Sequence, residues 1–264
     1  MTRRSLALVA SSGIVISAAA IAPLAQTAKP AAGQPQLYQA VFVTVQPGMG
    51  DAYTDYQQKD VMPALKKGGA PARIAWSSGA FGDMYSFAFF SPVANLSQYD
   101  APNPIVKAVG EQGAQEIIAK GAKLMTSRRV LLVRTHPELS IAGDPAAPHA
   151  PLAIVTHVTV APGRRADFET LIKKEVVPVM QQAKVKAYDV LEVVYGEETG
   201  TYYTAVPYDS YEAIGKGHPF QIVLGDEGTK RLEAKFAGIT TRVERFVARY
   251  RPDLSFTQPA PSTR

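Results

Sequence analysis

Val43-Thr44-Val45-Gln46-Pro47-Gly48 and Val158-Thr159-Val160-Ala161-Pro162-Gly163 are two copies of one phrase, 115 residues apart as counted from Pro47 to Pro162. The register extends well beyond them. Leu37 recurs as Leu152, and Lys59-Asp60-Val61-Met62-Pro63 recurs as Lys174-Glu175-Val176-Val177-Pro178. Asn103-Pro104 returns as His218-Pro219, Gly110 and Gly113 as Gly225 and Gly228, and Pro137-Glu138-Leu139-Ser140 as Pro252-Asp253-Leu254-Ser255. A period this long exceeds that of solenoid repeats, so each copy is a small domain with a core of its own.

Each copy reads as the same string of elements. Alternating β-branched residues mark a first strand, Leu37 to Val45 and Leu152 to Val160, which the Pro-Gly turn ends. Apolar residues at helical spacing then run from Asp51 to about Lys67 and from Arg165 to about Lys184. Pro63 and Pro178 fall inside these patterns and are expected to kink or break the helix near its last turn. Two strands follow, Ala72 to Ser78 with Tyr85 to Phe90, and Tyr188 to Tyr195 with Thr201 to Val206. A helical stretch interrupted by Gly110 and Gly113, or by Gly225 and Gly228, is expected as two short helices. A last strand, Ser127 to Arg134 or Arg242 to Tyr250, closes the unit.

Strand, helix, strand, strand, helix, strand, read twice, is an α+β chain of two tandem ferredoxin-like βαββαβ repeats. We delimit repeat 1 as 37–141, a Pro/Ala-rich extended linker as 142–151, repeat 2 as 152–256 and a C-terminal tail as 257–264. Residues 1–28 read as a signal peptide: Arg3-Arg4 precedes an apolar stretch from Leu6 to Leu24, and no acidic residue occurs before Asp51. A membrane anchor is the rival reading, against which stand Ser11, Ser12, Gly13, Ser17 and Pro23. The expectation is a periplasmic or secreted protein without stable membrane association after cleavage. The adjacent arginines also admit twin-arginine export.

Composition narrows the chemistry. The balance of 46% hydrophobic and 19% charged residues is that of a globular protein, and the absence of cysteine excludes disulfides, thiolate metal sites and cysteine nucleophiles. The formal charge of +5 falls to about +3 without Arg3 and Arg4, and the remaining basic residues alternate with acidic ones, so nucleic acid is not an expected partner. Four histidines without a metal-type spacing give no support for a metal site. Neither a phosphate loop, a dinucleotide fingerprint nor a hydrolase elbow is present.

The strand-Pro-Gly-helix opening, the Lys-x-Val-x-Pro helix end and the Asn/His-Pro element before the second helix resemble the dimeric α/β-barrel superfamily. That group includes antibiotic-biosynthesis-type monooxygenases, stress-responsive barrel proteins, cyclases of that type and NIPSNAP-like proteins. The resemblance spans Leu37 to Phe256 and implies two units packed sheet to sheet as an intramolecular pseudo-dimer, monomeric in chain number and open to further self-association. His218 resembles the first histidine of a His-Pro-x-His element in some of these proteins, but Gln221 stands where the second would be. This departure argues against a cyclase mechanism.

Sites are sought where the copies differ. His157 replaces Phe42 and His218 replaces Asn103. As functional groups they are candidates for proton transfer, with Glu192 as a carboxylate partner; as structural groups, His157 is satisfied by a neighbour and His218 caps a helix. His136 and His149 read as surface residues. Trp76, Tyr85, Tyr202, Tyr203 and Glu244 are candidates to bind a ligand, the aromatics having core filling as their structural alternative and Glu244 the solvent face. The function expected is binding of a small apolar or aromatic molecule, extending to cofactor-independent oxygenation or isomerisation. A non-catalytic binding or interaction protein and a haem-binding barrel are the alternatives.

Overall fold

In a computed structural model of the chain, residues 34–259 are described; the signal-peptide reading of 1–28 and the end of the tail lie outside them. Repeat 1 runs β1 (Leu37–Val45), α1 (Gly50–Tyr56), a π-helical turn (Gln57–Val61), α2 (Met62–Lys67), β2 (Ala72–Ser78), β3 (Ser86–Val93), α3 (Pro104–Ala122) and β4 (Met125–Thr135). Repeat 2 repeats the order with β5 (Leu152–Val160), α4 (Arg165–Leu171), a π-helical turn (Ile172–Val176), α5 (Val177–Gln182), β6 (Asp189–Tyr195), β7 (Thr201–Tyr208), a short α6 (Tyr211–Gly215), α7 (Pro219–Lys235) and β8 (Thr240–Tyr250). A two-residue strand, β9 (Phe256–Thr257), ends the described chain.

The prolines do not break their helices. Pro63 and Pro178 each sit in the first turn after a π-helical turn, which takes up the hydrogen bond that proline cannot make. The glycines do divide α3 and α7, as expected, into two helices each, joined across a kink at the first glycine of the pair. Only Gly110 (φ 72°) and Gly225 (φ 64°) leave helical geometry, each as one kink at a residue without a Cβ to resist it.

Within each repeat the strands order as β4-β1-β3-β2 and β8-β5-β7-β6, all antiparallel. Neither sheet is complete alone. β4 pairs with β6 through Val133↔Val193, and β8 pairs with β2 through Trp76↔Tyr250, so the two edges join into one closed eight-stranded barrel. β1 and β5 run parallel in this arrangement, and their C-terminal ends share one mouth.

The Pro-[Glu/Asp]-Leu-Ser motif explains how the repeats hold each other. After β4 the chain crosses onto repeat 2: His136 N donates to Val190 O, Ser140 Oγ accepts from Val190 N, and Leu139 is buried among Phe168, Ile172 and Tyr188. After β8 the same device crosses back. Arg251 N donates to Ala75 O, Ser255 Oγ accepts from Ala75 N, and Leu254 is buried among Tyr53, Phe87 and Phe89.

The barrel interior is packed by unequal partners. Positions related by the repeat carry large against small side chains: Tyr38 and Ala153, Phe90 and Ala205, Ala88 and Tyr203, Trp76 and Leu191. Unequal pairs let one interior be filled where two identical sheets would leave voids or clash. Polar residues also occupy interior positions, His157 and Asp189 among them. Asp189 replaces Ile74, and although the residue is only partly covered as a whole, its Oδ2 is buried without a hydrogen-bond partner. Burial raises its pKa from 3.8 to about 7.

The folded chain therefore holds this proton up to about pH 7, whereas the unfolded chain releases it near pH 4, so stability falls as pH rises between those values and is level above. The whole effect is at most about 4 kcal/mol. Asp189→Ile, the residue of repeat 1, should raise the urea midpoint strongly at pH 8 and little at pH 4; equal gains at both would remove the buried carboxylate as the cause.

Candidate functional site

Between the outer face of the repeat-2 sheet and its helices lies a cavity of about 380 Å³. Its walls are apolar: Ile154 and Val158 on β5, Val206 on β7, Phe168 on α4, Ile172 and Val176 on the π turn, Met180 on α5, Phe220 and the flanking Phe236 on the α7 side. Polar groups enter in one line. Thr204, Thr156 and Arg245 lie abreast on β7, β5 and β8, because Thr156 pairs with Thr204 on one side and Arg245 on the other. Tyr188, His218 and Glu233 also line the space. An apolar pocket with a few convergent polar groups is the usual form of a small-molecule site.

Repeat 1 has the same scaffold with the equivalent space filled. The counterparts of Thr204, Thr156 and Arg245 are Phe89, Val41 and Val130, and Tyr188 is matched by the buried Arg73. Arg73 lies 3.7 Å over the Phe89 ring and donates to Gln57 Oε1 at 2.7 Å. Tyr56, where repeat 2 has Leu171, reaches across to Ile117 O at 3.0 Å, and its hydroxyl occupies the space that a side chain on Gly121 would need. Repeat 2 carries Phe236 at that position and keeps the opening.

His218 caps its helix, the structural alternative its sequence position suggested. Its Nδ1 accepts from Phe220 N at 3.3 Å and Gln221 Oε1 accepts from His218 N at 3.3 Å, a capping box at the start of α7. Gln221, standing where a second histidine was absent, completes the cap. The ring also lines the cavity. Burial, with Arg245 adding to it, lowers its pKa from 6.5 to about 4, so the ring is neutral near pH 7. With Nδ1 accepting, the neutral tautomer carries its proton on Nε2, and His218 offers the cavity a donor and not a base.

His157 faces the other way, into the barrel. Its ring stacks on Tyr203 at 4.5 Å, is 3% exposed, and has no hydrogen-bond partner on either nitrogen. Glu197 Oε1 stands 3.8 Å from Nε2 and Glu244 Oε2 3.5 Å from Nδ1, close enough for charge but outside hydrogen-bond geometry. Burial dominates and lowers the His157 pKa against the pull of Glu197 and Glu244.

Glu192 belongs to a third place, the junction of the repeats. Its buried carboxylate takes Arg134 at 2.5 Å and His136 Nε2 at 3.0 Å from repeat 1, and Arg165 from α4. Arg165 and Glu169 together hold the Tyr202 hydroxyl, at 2.9 and 2.7 Å. The sequence-derived candidates thus occupy three buried regions: His218 the cavity, His157, Tyr203 and Glu244 the barrel mouth, and Glu192 with Tyr202 the junction. Trp76 is in the barrel core against Tyr250, and Tyr85 is an exposed turn residue with φ 66°; neither lines a cavity. His136, expected at the surface, is 7% exposed because the crossing segment buries it, and His149, also expected there, lies tilted against Tyr250 at 4.6 Å with a buried Nδ1. Thr156, Thr204 and Arg245 escaped the sequence reading. Their signal was available as three polar residues replacing Val41, Phe89 and Val130 at helix-facing positions.

Among the described residues no cluster of His, Asp and Glu suits a metal ion. For haem, His218 Nε2 is the ring atom at hand, but the cavity of about 380 Å³ is too small for a tetrapyrrole with its side chains, so the residues present do not fit that group.

No protein-family profile matches the sequence, and no curated protein is significantly similar to it. Solved structures do share its fold. An anthrone oxidase-like protein superposes with a TM-score of 0.58 at 13% identity, covering 86% of this chain and 94% of its own. A protein assigned as a monooxygenase from Lactobacillus acidophilus gives 0.51 at 16%, covering 85% and 97%. One with the same assignment from Fusobacterium nucleatum gives 0.54 at 10%, covering 82% and 92%. The likeness establishes a tandem ferredoxin-like α/β barrel and nothing about chemistry.

The Glu192 junction is a structural element whose removal is measurable. Glu192→Ala leaves Arg134, Arg165 and His136 without their shared anion and should cost about 3 kcal/mol by chemical denaturation; a loss below about 0.5 kcal/mol would show that the cluster contributes no net stability.

Proposed function

We propose that the repeat-2 cavity binds a small, largely apolar molecule, flat enough to lie along the sheet and carrying one oxygen toward Arg245 and His218. The observation that carries this reading is the contrast between copies: one scaffold, filled by Arg73, Phe89 and Tyr56 in repeat 1, is left open and given a polar line in repeat 2. Apolar walls supply affinity at about 25 cal/mol per Å² removed from water. The guanidinium and the Nε2–H donor would fix orientation and favour a negatively charged oxygen over a neutral one.

That arrangement suits chemistry on a compound that ionises at oxygen, in the oxygenase or isomerase class. The protein would stabilise the anion with Arg245 and His218, and Glu233, an exposed carboxylate lining the cavity, would be the group to exchange a proton. The names of the structural neighbours, two assigned as monooxygenases and one as anthrone oxidase-like, agree with an oxygenase. A binding protein without turnover would use the same cavity. Export to the periplasm or beyond remains part of the proposal and rests on the sequence of residues 1–28.

Native mass spectrometry with an absorption spectrum on protein from its host should show a retained small molecule without a haem Soret band. Thr204→Phe, which installs the repeat-1 residue, should abolish retention while the protein stays folded. Arg245→Gln should weaken binding about 10- to 100-fold for an anionic ligand, the scale of a charged hydrogen bond. Unchanged retention in Thr204→Phe would place the ligand elsewhere.

A further inference from the structure

The shared mouth of the barrel holds a second, separate cavity of about 320 Å³, lined by Arg129, His157, Thr159, Glu197, Thr201 and Arg242 with Gly196 and Glu198 at its edge. We propose that it is a binding site for a small oxyanion, a carboxylate or phosphate group, taken up together with a proton on His157.

The donor and acceptor inventory points there. The acceptors at the mouth are largely engaged: Glu197 takes Arg129 on Oε1 and the Tyr203 hydroxyl on Oε2, both at 2.8 Å, and Glu244 Oε1 takes Arg242 at 2.6 Å. The donors are not. Arg129 and Arg242 each spend one terminal nitrogen on a glutamate and keep the rest of the guanidinium, and both side chains are over a third exposed or nearly so. Thr159 adds a hydroxyl, and His157 is a buried ring with two unpartnered nitrogens at the floor. A buried polar group without a partner is costly and rare in a settled core.

The site is also built and not incidental. The β6–β7 turn folds Glu197 back over the mouth through Gly196 (φ 101°), where any Cβ would collide with Val130 O and Leu131. Repeat 1, whose strands reach the same mouth, has Phe42 in place of His157, Ser127 in place of Arg242 and Gly82 in place of Glu197. His157, Glu197 and Arg242 are therefore additions of repeat 2, whereas Thr159 and Thr201 have the polar counterparts Thr44 and Ser86, and Arg129 from β4 of repeat 1 completes the set.

Charge sets the coupling. Facing His157 are Arg129 from β4, Glu197 and Glu198 from the β6–β7 turn, Tyr203 from β7, and Arg242 and Glu244 from β8. Two arginines against three glutamates give no net attraction for an anion while His157 is neutral. Protonation supplies it, and the same carboxylates that flank the ring stabilise the imidazolium. Binding should then tighten as pH falls, by up to about tenfold per pH unit while His157 is neutral in the free protein.

The test is a titration of the full mature chain with acetate and with inorganic phosphate at constant ionic strength, chloride serving as control, read by the His157 ring signals in NMR and by calorimetry in two buffers of different ionisation heat. The expected result is a saturable His157 shift with one or both probes, proton uptake on binding, and affinity higher at pH 5.5 than at pH 7.5. Acetate alone would identify a carboxylate site, phosphate alone a phosphate site. Arg242→Ser and Arg129→Gln, at exposed side chains, should weaken binding at least fivefold, and His157→Phe should remove the proton uptake. A response equal to that of chloride, no saturation with either probe, or affinity indifferent to pH and to both arginine variants would overturn the proposal.

Discussion

Every other feature depends on one constraint: each four-stranded sheet has two open edges, and each edge can be satisfied only by the other repeat. An unpaired edge exposes a row of backbone donors and acceptors. Pairing β4 with β6 and β8 with β2 removes both at once and turns two marginal sheets into one barrel. The crossing segments after β4 and β8 then bury Leu139 and Leu254 in the opposite repeat, so neither half has its full core without the other.

Closure by two covalently joined copies frees them to diverge. In a symmetric dimer any interior change occurs twice at related positions, and a tyrosine at position 38 would need room for its twin at 153. Here Tyr38 is matched by Ala153, and Tyr203 by Ala88, so each large ring enters the shared interior only once. The same freedom acts on the helix side. Repeat 1 was packed solid with Arg73, Phe89 and Tyr56, leaving repeat 2 free to hold a cavity without the fold losing its second core.

Buried polar groups divide by whether their partners are supplied. Glu192 is fully matched by Arg134, His136 and Arg165 and ties the two repeats at their seam. Asp189 and His157 are not matched, and both replace apolar residues of repeat 1, Ile74 and Phe42. Such groups carry a desolvation penalty that packing elsewhere must offset. Their different settings matter: Asp189 has only burial acting on it, whereas His157 lies beneath a charged mouth.

The sequence by itself determined the duplication and the order of elements, with strand limits to within three residues, because β-branched alternation, the Pro-Gly turn and the Asn/His-Pro cap are local signals written in both copies. It also exposed His157, His218 and Glu192, since a residue type that breaks the repeat can be read by eye. The helix details were less legible: a proline or a glycine signals disruption, but whether it yields a break, a π turn or a kink is settled by packing against the sheet. Where the candidate residues meet was decided only by tertiary structure. Neighbours in sequence such as Tyr202 and Tyr203 point to opposite faces of one strand, and Thr204, Thr156 and Arg245, far apart in the chain, come abreast through strand register. Burial of His136 likewise required knowing that the segment after β4 crosses to the other repeat, a long-range pairing that no local pattern encodes.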